Sequence, residues 1–427
     1  MELATRLRDL RLRQGLTQAA IAAPDYTAAY VSSIEAGKRH PSSKAIEHFA
    51  RQLGVEVDEL TTGRDPAVRV ELLLGYTKAR QVLASGTPES IAEARERFLE
   101  LIEKARTQNH RDVEAKALVG VALCHEAAND LEGALTMFEE TIELLADAGP
   151  LDRVDAVVGR ARVLQTTGEV ARATFLVEKA MAELAELGIE DPSALLRLHT
   201  SLVASYFDAG LQAQADASAS RALELAVSVD DPERLATMNL NVGIALAEQR
   251  RWREAEVRLA EAERWFDEIR YAMDLARVRL VRGINFRHQA LFDQGRQLIE
   301  SARADFEHAG ATLREARATV ALGLLERAAG RTDEARFLLK RATTLAGDDR
   351  GIAGIALREL ALCDAERDVS KAVAGLRHAI DMLAEAGLVP ELAVTYRELG
   401  DLLSSDPDLS MACDAYKKAA DLFEQAA

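Results

Sequence analysis

The chain has 427 residues, 48% hydrophobic and 29% charged, a balance that supports a large buried core and excludes an unfolded polypeptide. No run of about 18 apolar residues occurs, and the charged amphipathic start MELATRLRDLRLRQG excludes a secretory leader, so a cytoplasmic protein with no membrane partner is expected. Net charge is −17, yet residues 1–51 hold eight Lys or Arg against five Asp or Glu and are +3; the other 376 residues therefore carry −20, which leaves the head as the part able to meet nucleic acid.

In chain order, Leu3, Leu7 and Leu10 form one stripe of a first helix over residues 2–13, with Arg6, Arg8, Arg11 and Arg13 around it and Gly15 as its stop. A second helix opens at Leu16 with Thr17 as N-cap and ends at Pro24-Asp25. Thr27 caps a third, Ala28 to Ala36, with Tyr30, Val31 and Ile34 predicted inward and Ala28, Ala29, Ser32 and Ser33 outward; Gly37 closes it. A turn at 37–42 leads to a fourth helix over 43–54 and a short fifth over Val55 to Leu60. Five helices in sixty residues predict one small domain, residues 1–62, followed by a breaker-rich hinge at 63–66.

These residues resemble the phage-repressor type of helix-turn-helix family, through LTQ at 16–18, YVSSIEAGKRHPS at 30–42 and ARQLGVEVDEL at 50–60. The resemblance implies that the third helix enters the major groove of double-stranded DNA. Gln18, Lys38 and Arg39 would then hold backbone phosphates, and Thr27, Ala28, Ala29, Ser32 and Ser33 would lie at the reading face. The connection Ala23-Pro24-Asp25-Tyr26 is one residue shorter than the usual family turn. Two alanines offer no hydrogen bonds, so readout would rest on thymine methyls, the serine hydroxyls and DNA shape.

From residue 67 to 427 the pattern is helical throughout and repeats. A small residue recurs at 94, 134, 173, 215, 255, 295, 335, 372 and 412, in steps of 37 to 42, always alanine except Gly295. Four residues later stand Phe98, Phe138, Val177, Ala219, Leu259, Ile299, Leu339, Leu376 and Tyr416. Twelve residues earlier are Gly243, Gly283, Gly323 and Gly400, with Ala122 and Ala161 in earlier units. Small positions at this spacing predict antiparallel helices crossing closely, with the larger residue one turn on filling the next layer. The pattern resembles the tetratricopeptide repeat, most fully at Leu399-Gly400, Ala412, Tyr416 and Ala419. Its period of about 40 exceeds the usual ~34, predicting longer helices, and most units lack the motif's early Trp and late Pro, which leaves another helical-hairpin solenoid as the alternative. The expected fold class is thus all-α: a five-helix head followed by an α-solenoid of about nine hairpins.

Such arrays commonly take peptides on the face lined by their first helices. Counting from the small positions, one place in successive first helices holds Lys116, Asp155, Arg197, Thr237, Arg277 and Arg317, and the place ten residues on holds Glu126, Gln165, Phe207, Ala247, Arg287 and Arg327. Arg277, Arg287, Arg317 and Arg327 are therefore expected to form a compact positive cluster for an anion or peptide carboxylate, with Asn241 and Asn285 as backbone clamps; the same arginines could instead pair with neighbouring glutamates on solvated faces.

Cys124, Cys363 and Cys413 are scattered, without metal or disulfide spacing, and are expected in the core. No P-loop, GxGxxG after a strand, HExxH or GxSxG occurs, so neither enzyme chemistry, nor a cofactor, nor a metal is expected. The combined resemblance is to peptide-sensing transcription regulators, which implies a homodimer and a peptide or protein ligand; an adaptor whose head no longer binds DNA is the alternative.

Overall fold

A computed structural model describes residues 3–63, 66–404 and 409–426. Among the described residues the secondary structure is helical, with 23 α-helices. They fall into two compact units, residues 1–82 with 92–152 and residues 83–91 with 153–427.

The head contains α1 (Leu3–Arg13), α2 (Gln18–Ala22), α3 (Ala28–Glu35), α4 (Ser43–Leu53) and α5 (Val57–Thr62), the last starting two residues later than expected. Local chemistry sets these boundaries. Thr17 Oγ1 accepts from the Ala20 amide at 3.1 Å, Thr27 Oγ1 from Tyr30 at 3.3 Å and Ser42 Oγ from Ala45 at 3.3 Å, each satisfying an amide with no intrahelical partner. After α3, the amide of Gly37 returns to the Ile34 carbonyl and that of Lys38 to Ser33, at 2.8 and 2.9 Å; this closure needs the left-handed φ of +69° that Gly37 adopts. Leu7, Ile21, Val31, Ile34, Phe49, Leu53 and Leu60 form the core. Arg6 of α1 donates to the carbonyls of Leu60 and Thr61, holding the end of α5. Arg64 and Asp65 of the expected hinge lie outside the described residues.

The first unit continues with α6 (Pro66–Leu83), α7 (Pro88–Thr107), α8 (Arg111–Ala127) and α9 (Leu131–Leu144), and α10 (Pro150–Thr166) follows. The remaining helices are α11 (Val170–Glu186), α12 (Pro192–Asp208), α13 (Gln212–Ala226), α14 (Pro232–Glu248), α15 (Trp252–Glu268), α16 (Ala272–His288), α17 (Phe292–His308), α18 (Thr312–Ala328), α19 (Thr332–Ala346), α20 (Arg350–Asp364), α21 (Val369–Glu385), α22 (Val389–Leu403) and α23 (Ser410–Ala426). From α6 onward the described residues form a helical repeat array. Most of these helices run to 17 residues, about 25 Å, which is the lengthening that the 40-residue period predicts.

The stacking rule is steric. Of the nine recurring small residues, the eight alanines are at most 2% exposed, and Gly295 is buried too. A Cβ on Gly243, Gly283, Gly323 or Gly400 would come within 2.7, 2.4, 2.8 and 2.8 Å of Leu259, Ile299, Leu339 and Tyr416, the large residue of the same hairpin. Each glycine is thus the hole for its own hairpin's knob. Tyr416 is 38% exposed, unlike its counterparts, yet its ring still covers Gly400 and its hydroxyl donates to Asp401 at 2.7 Å. Cys413 is exposed, contrary to expectation, because it lies on the outer side of α23, while Cys124 and Cys363 are buried.

Five residues before the small position, at the turn inside the hairpin, the backbone adopts positive φ: Asn129, Gly168, Gly210, Arg250, Ala290 and Gly330. This second register was visible in the sequence only as scattered glycines, since Arg250 and Ala290 occupy the same conformation without being glycine.

Candidate functional site

The α3 helix presents Ala28, Ala29 and Ser32 as exposed side chains, while Val31 and Ile34 are buried. Tyr30, expected inward, is half-buried; it stacks on Tyr26 at 5.3 Å and carries the Arg39 guanidinium over its ring, also at 5.3 Å. That contact positions an otherwise solvated arginine beside the exposed face, next to exposed Lys38. Ser33 is only half-exposed, and its hydroxyl donates to the Tyr30 carbonyl at 2.8 Å, so the helix itself already satisfies it. Thr27 is exposed, with its oxygen engaged as the cap.

Gln18 does not stand free at the start of α2. Its Nε2 donates to Glu35 Oε2 at 2.8 Å, and the same carboxylate receives Arg11 Nε and Nη2 at 2.6 and 2.9 Å. Arg11 also donates to the Leu16 carbonyl at 2.9 Å. Burial alone would raise the Glu35 pKa; the hydrogen bonds from Arg11 and Gln18 outweigh it and hold the carboxyl below its usual range. Glu35 thereby ties α1 and α2 to the end of α3 and fixes how that helix is presented. A bidentate pair 24 residues apart leaves no local signal in the sequence. One amide proton of Gln18 remains for a further acceptor.

His48 of α4, buried, places Nδ1 3.1 Å from Asp25 Oδ2 and Nε2 3.2 Å from the Ile21 carbonyl, so it spans the α2–α3 connection from below.

In the array, the four arginines do not make one compact cluster. Arg277 and Arg317 are exposed on α16 and α18, and Arg287 and Arg327 lie ten residues further on, roughly 15 Å along the helices, so they form two tiers. Arg327 Nη2 meets Glu359 at 2.7 Å, a glutamate that is buried and not on a solvated face. Asn285 is not a groove clamp: it is 1% exposed and its Nδ2 donates to the Trp252 carbonyl at 3.0 Å, bracing the turn of the preceding hairpin. Asn241 is half-buried on α14. Among the described residues no His, Cys, Asp and Glu grouping could hold a metal ion, and no helix is long and apolar enough to cross a membrane.

Residues 2–62 match the family model of a helix-turn-helix domain, and residues 295–427 match that of the soluble NSF attachment protein. A comparison of the sequence with characterised proteins finds no match. Among solved structures, the fold is similar to a Rap protein complexed with competence and sporulation factor, at 13% identity and a TM-score of 0.58, covering 83% of this chain and 98% of that one. It is also similar to the apo form of the quorum sensor NprR from B. thuringiensis, at 14% identity and TM-score 0.56, covering 81% and 98%. Aspartyl phosphate phosphatase F from Bacillus subtilis matches at 12% identity and TM-score 0.51, covering 83% and 94%. The chain therefore carries an N-terminal helix-turn-helix domain joined to a tetratricopeptide-like helical array with the fold of the Rap and NprR structures.

Proposed function

We propose that this chain is a cytoplasmic transcription regulator: residues 1–62 bind double-stranded DNA in a sequence-specific way, and residues 67–427 bind a peptide, small ligand or protein that controls this binding. The observation that carries the reading is the exposed Ala28, Ala29 and Ser32 face of α3, flanked by Lys38 and by an Arg39 fixed on Tyr30, within a domain that matches a helix-turn-helix model. In this role Thr27 and Ser33 shape the helix start and face, and Gln18 offers its remaining amide proton to a phosphate while Glu35 holds its other. The array supplies the sensor, and a homodimer would set two α3 helices at neighbouring major grooves. Catalysis is not part of this proposal.

Gel-shift titration of the full chain against genomic fragments at several salt concentrations tests it. The logarithm of affinity should fall linearly with the logarithm of salt, and Arg39→Ala should reduce the slope by about one. Flat, weak binding at every salt would instead favour an adaptor with a silent head, a reading supported by the attachment-protein match of residues 295–427.

A further inference from the structure

The connection from α2 to α3, Ala23-Pro24-Asp25-Tyr26, is where the head departs from the usual family length, and α4 reaches across to hold it. Among the described residues no backbone amide bonds to the Ile21 carbonyl at the end of α2; its donor is His48 Nε2, 3.2 Å away. That contact assigns a proton to Nε2. The other ring nitrogen, Nδ1, lies 3.1 Å from Asp25 Oδ2. A neutral imidazole donating through Nε2 would turn the Nδ1 lone pair on a carboxylate. An imidazolium instead donates to both acceptors, and its bond to Asp25 is charge-assisted.

Few ionisable groups meet this ring. The connection brings Asp25 and Tyr26, and α2 brings no charged side chain. On α3 the ionisable residues are Tyr30 and Glu35, and Glu35 is committed to Arg11 and Gln18. On α4 itself Lys44, Glu47 and Arg51 are exposed, and Glu59 of α5 makes no hydrogen bond or ion pair with His48. Asp25 is thus the carboxylate opposite the ring; its side chain is 65% exposed, and His48 is its partner there. From the ring a chain of contacts leads to the exposed face of α3. His48 meets Tyr26 edge-on with centroids 5.0 Å apart, Tyr26 stacks on Tyr30 at 5.3 Å, and Tyr30 carries the Arg39 guanidinium at 5.3 Å.

We propose that His48 is a positioning residue for DNA binding: its imidazolium clamps Asp25 and so sets the stack of Tyr26, Tyr30 and Arg39, and the head grips DNA more tightly while Nδ1 carries its proton. The proposal rests on the DNA-binding reading above. Loss of that proton frees Asp25 and shifts the stack, whereas α3 keeps its Thr27 cap and its buried Val31 and Ile34 and stays helical. The contribution is therefore present at low pH and lost as pH rises. Glu35, held below its usual range, stays ionised through this change.

Gel-shift affinity of the full chain is measured at fixed ionic strength from about pH 5 to about pH 8, the interval in which histidines as a class change charge. Affinity should fall about tenfold across it. His48→Gln should remove the fall and hold affinity near its weak, high-pH value, and Asp25→Asn, at an exposed side chain, should shrink it. His40→Gln, in the exposed turn beside Lys38 and Arg39, should leave it intact. In NMR spectra of the full chain labelled on histidine and tyrosine, the Tyr26 and Tyr30 ring signals should follow the titration of His48 Nδ1. Tyrosine signals that stay still, or a His48 ring with one protonated nitrogen at about pH 5, overturn the proposal. A pH dependence that survives His48→Gln and vanishes with His40→Gln overturns it in favour of a phosphate contact by His40. No DNA binding at any pH sinks the DNA reading instead, and the tyrosine signals still decide whether His48 sets the stack. Circular dichroism confirms that each variant is folded; should His48→Gln not fold, Asp25→Asn and the tyrosine signals carry the test.

Discussion

The head and the array solve the same problem, orienting a helix, with opposite means. In the head, one buried carboxylate, Glu35, gathers Arg11 and Gln18 and so decides how α3 is held. In the array the fit is steric and repeated: Gly243, Gly283, Gly323 and Gly400 each receive the large residue of their own hairpin. A sixty-residue domain has too few layers to average out an error, so one polar contact carries the specificity, whereas a solenoid spreads it over nearest neighbours.

Breaking each means should produce different signatures. Glu35→Gln leaves Arg11 buried without a full counter-charge and should cost the head about 3–5 kcal/mol, read as lost hydrogen-exchange protection over residues 3–62 with the array unchanged. Unchanged protection in the head would show that Glu35 is not the keystone. In the array, Gly283→Val drives a side chain into Ile299 and toward the Gly295 carbonyl oxygen, 2.9 Å from the added Cβ, and should cost about 1–3 kcal/mol, centred on α16 and α17.

Acidity separates the regions by sign. The Glu35 pKa is depressed below 4.5, so its contribution is present above that value and lost as pH falls through the folded pKa. Glu398 is pushed up to about 7, by burial first and by Glu359, against the opposing arginines; its contribution is present below 4.5 and lost as pH rises through about 7. Exchange protection should therefore fall on acidification in α3 and on alkalinisation in α22, and the same direction in both would contradict this assignment. The smallest effect is expected at Ala290, a non-glycine at φ +58°: Ala290→Gly should stabilise the array by up to about 1 kcal/mol in thermal melts, less the added freedom of the unfolded chain.

Much of the fold was legible beforehand because its determinants are local or periodic. Thr17, Thr27 and Ser42 announce helix starts by their own chemistry, and a 40-residue recurrence of small residues survives any detail of packing. The exposed face of α3 followed from helical periodicity alone. The candidate sites were legible only in part. Ser33, outward by periodicity, is half-buried with its hydroxyl turned back on Tyr30, and Asn285, a groove position by its spacing, braces Trp252 instead.

What the sequence by itself determined is the order, length and repeat of the helices, because capping, glycine stops and hydrophobic period act over a few residues. Only the tertiary structure decided which charges meet: Arg11 with Glu35, and Arg327 with Glu359. A charge pair has no period and is chosen by the approach of helices far apart in the chain, so partners emerge only when the packing is complete.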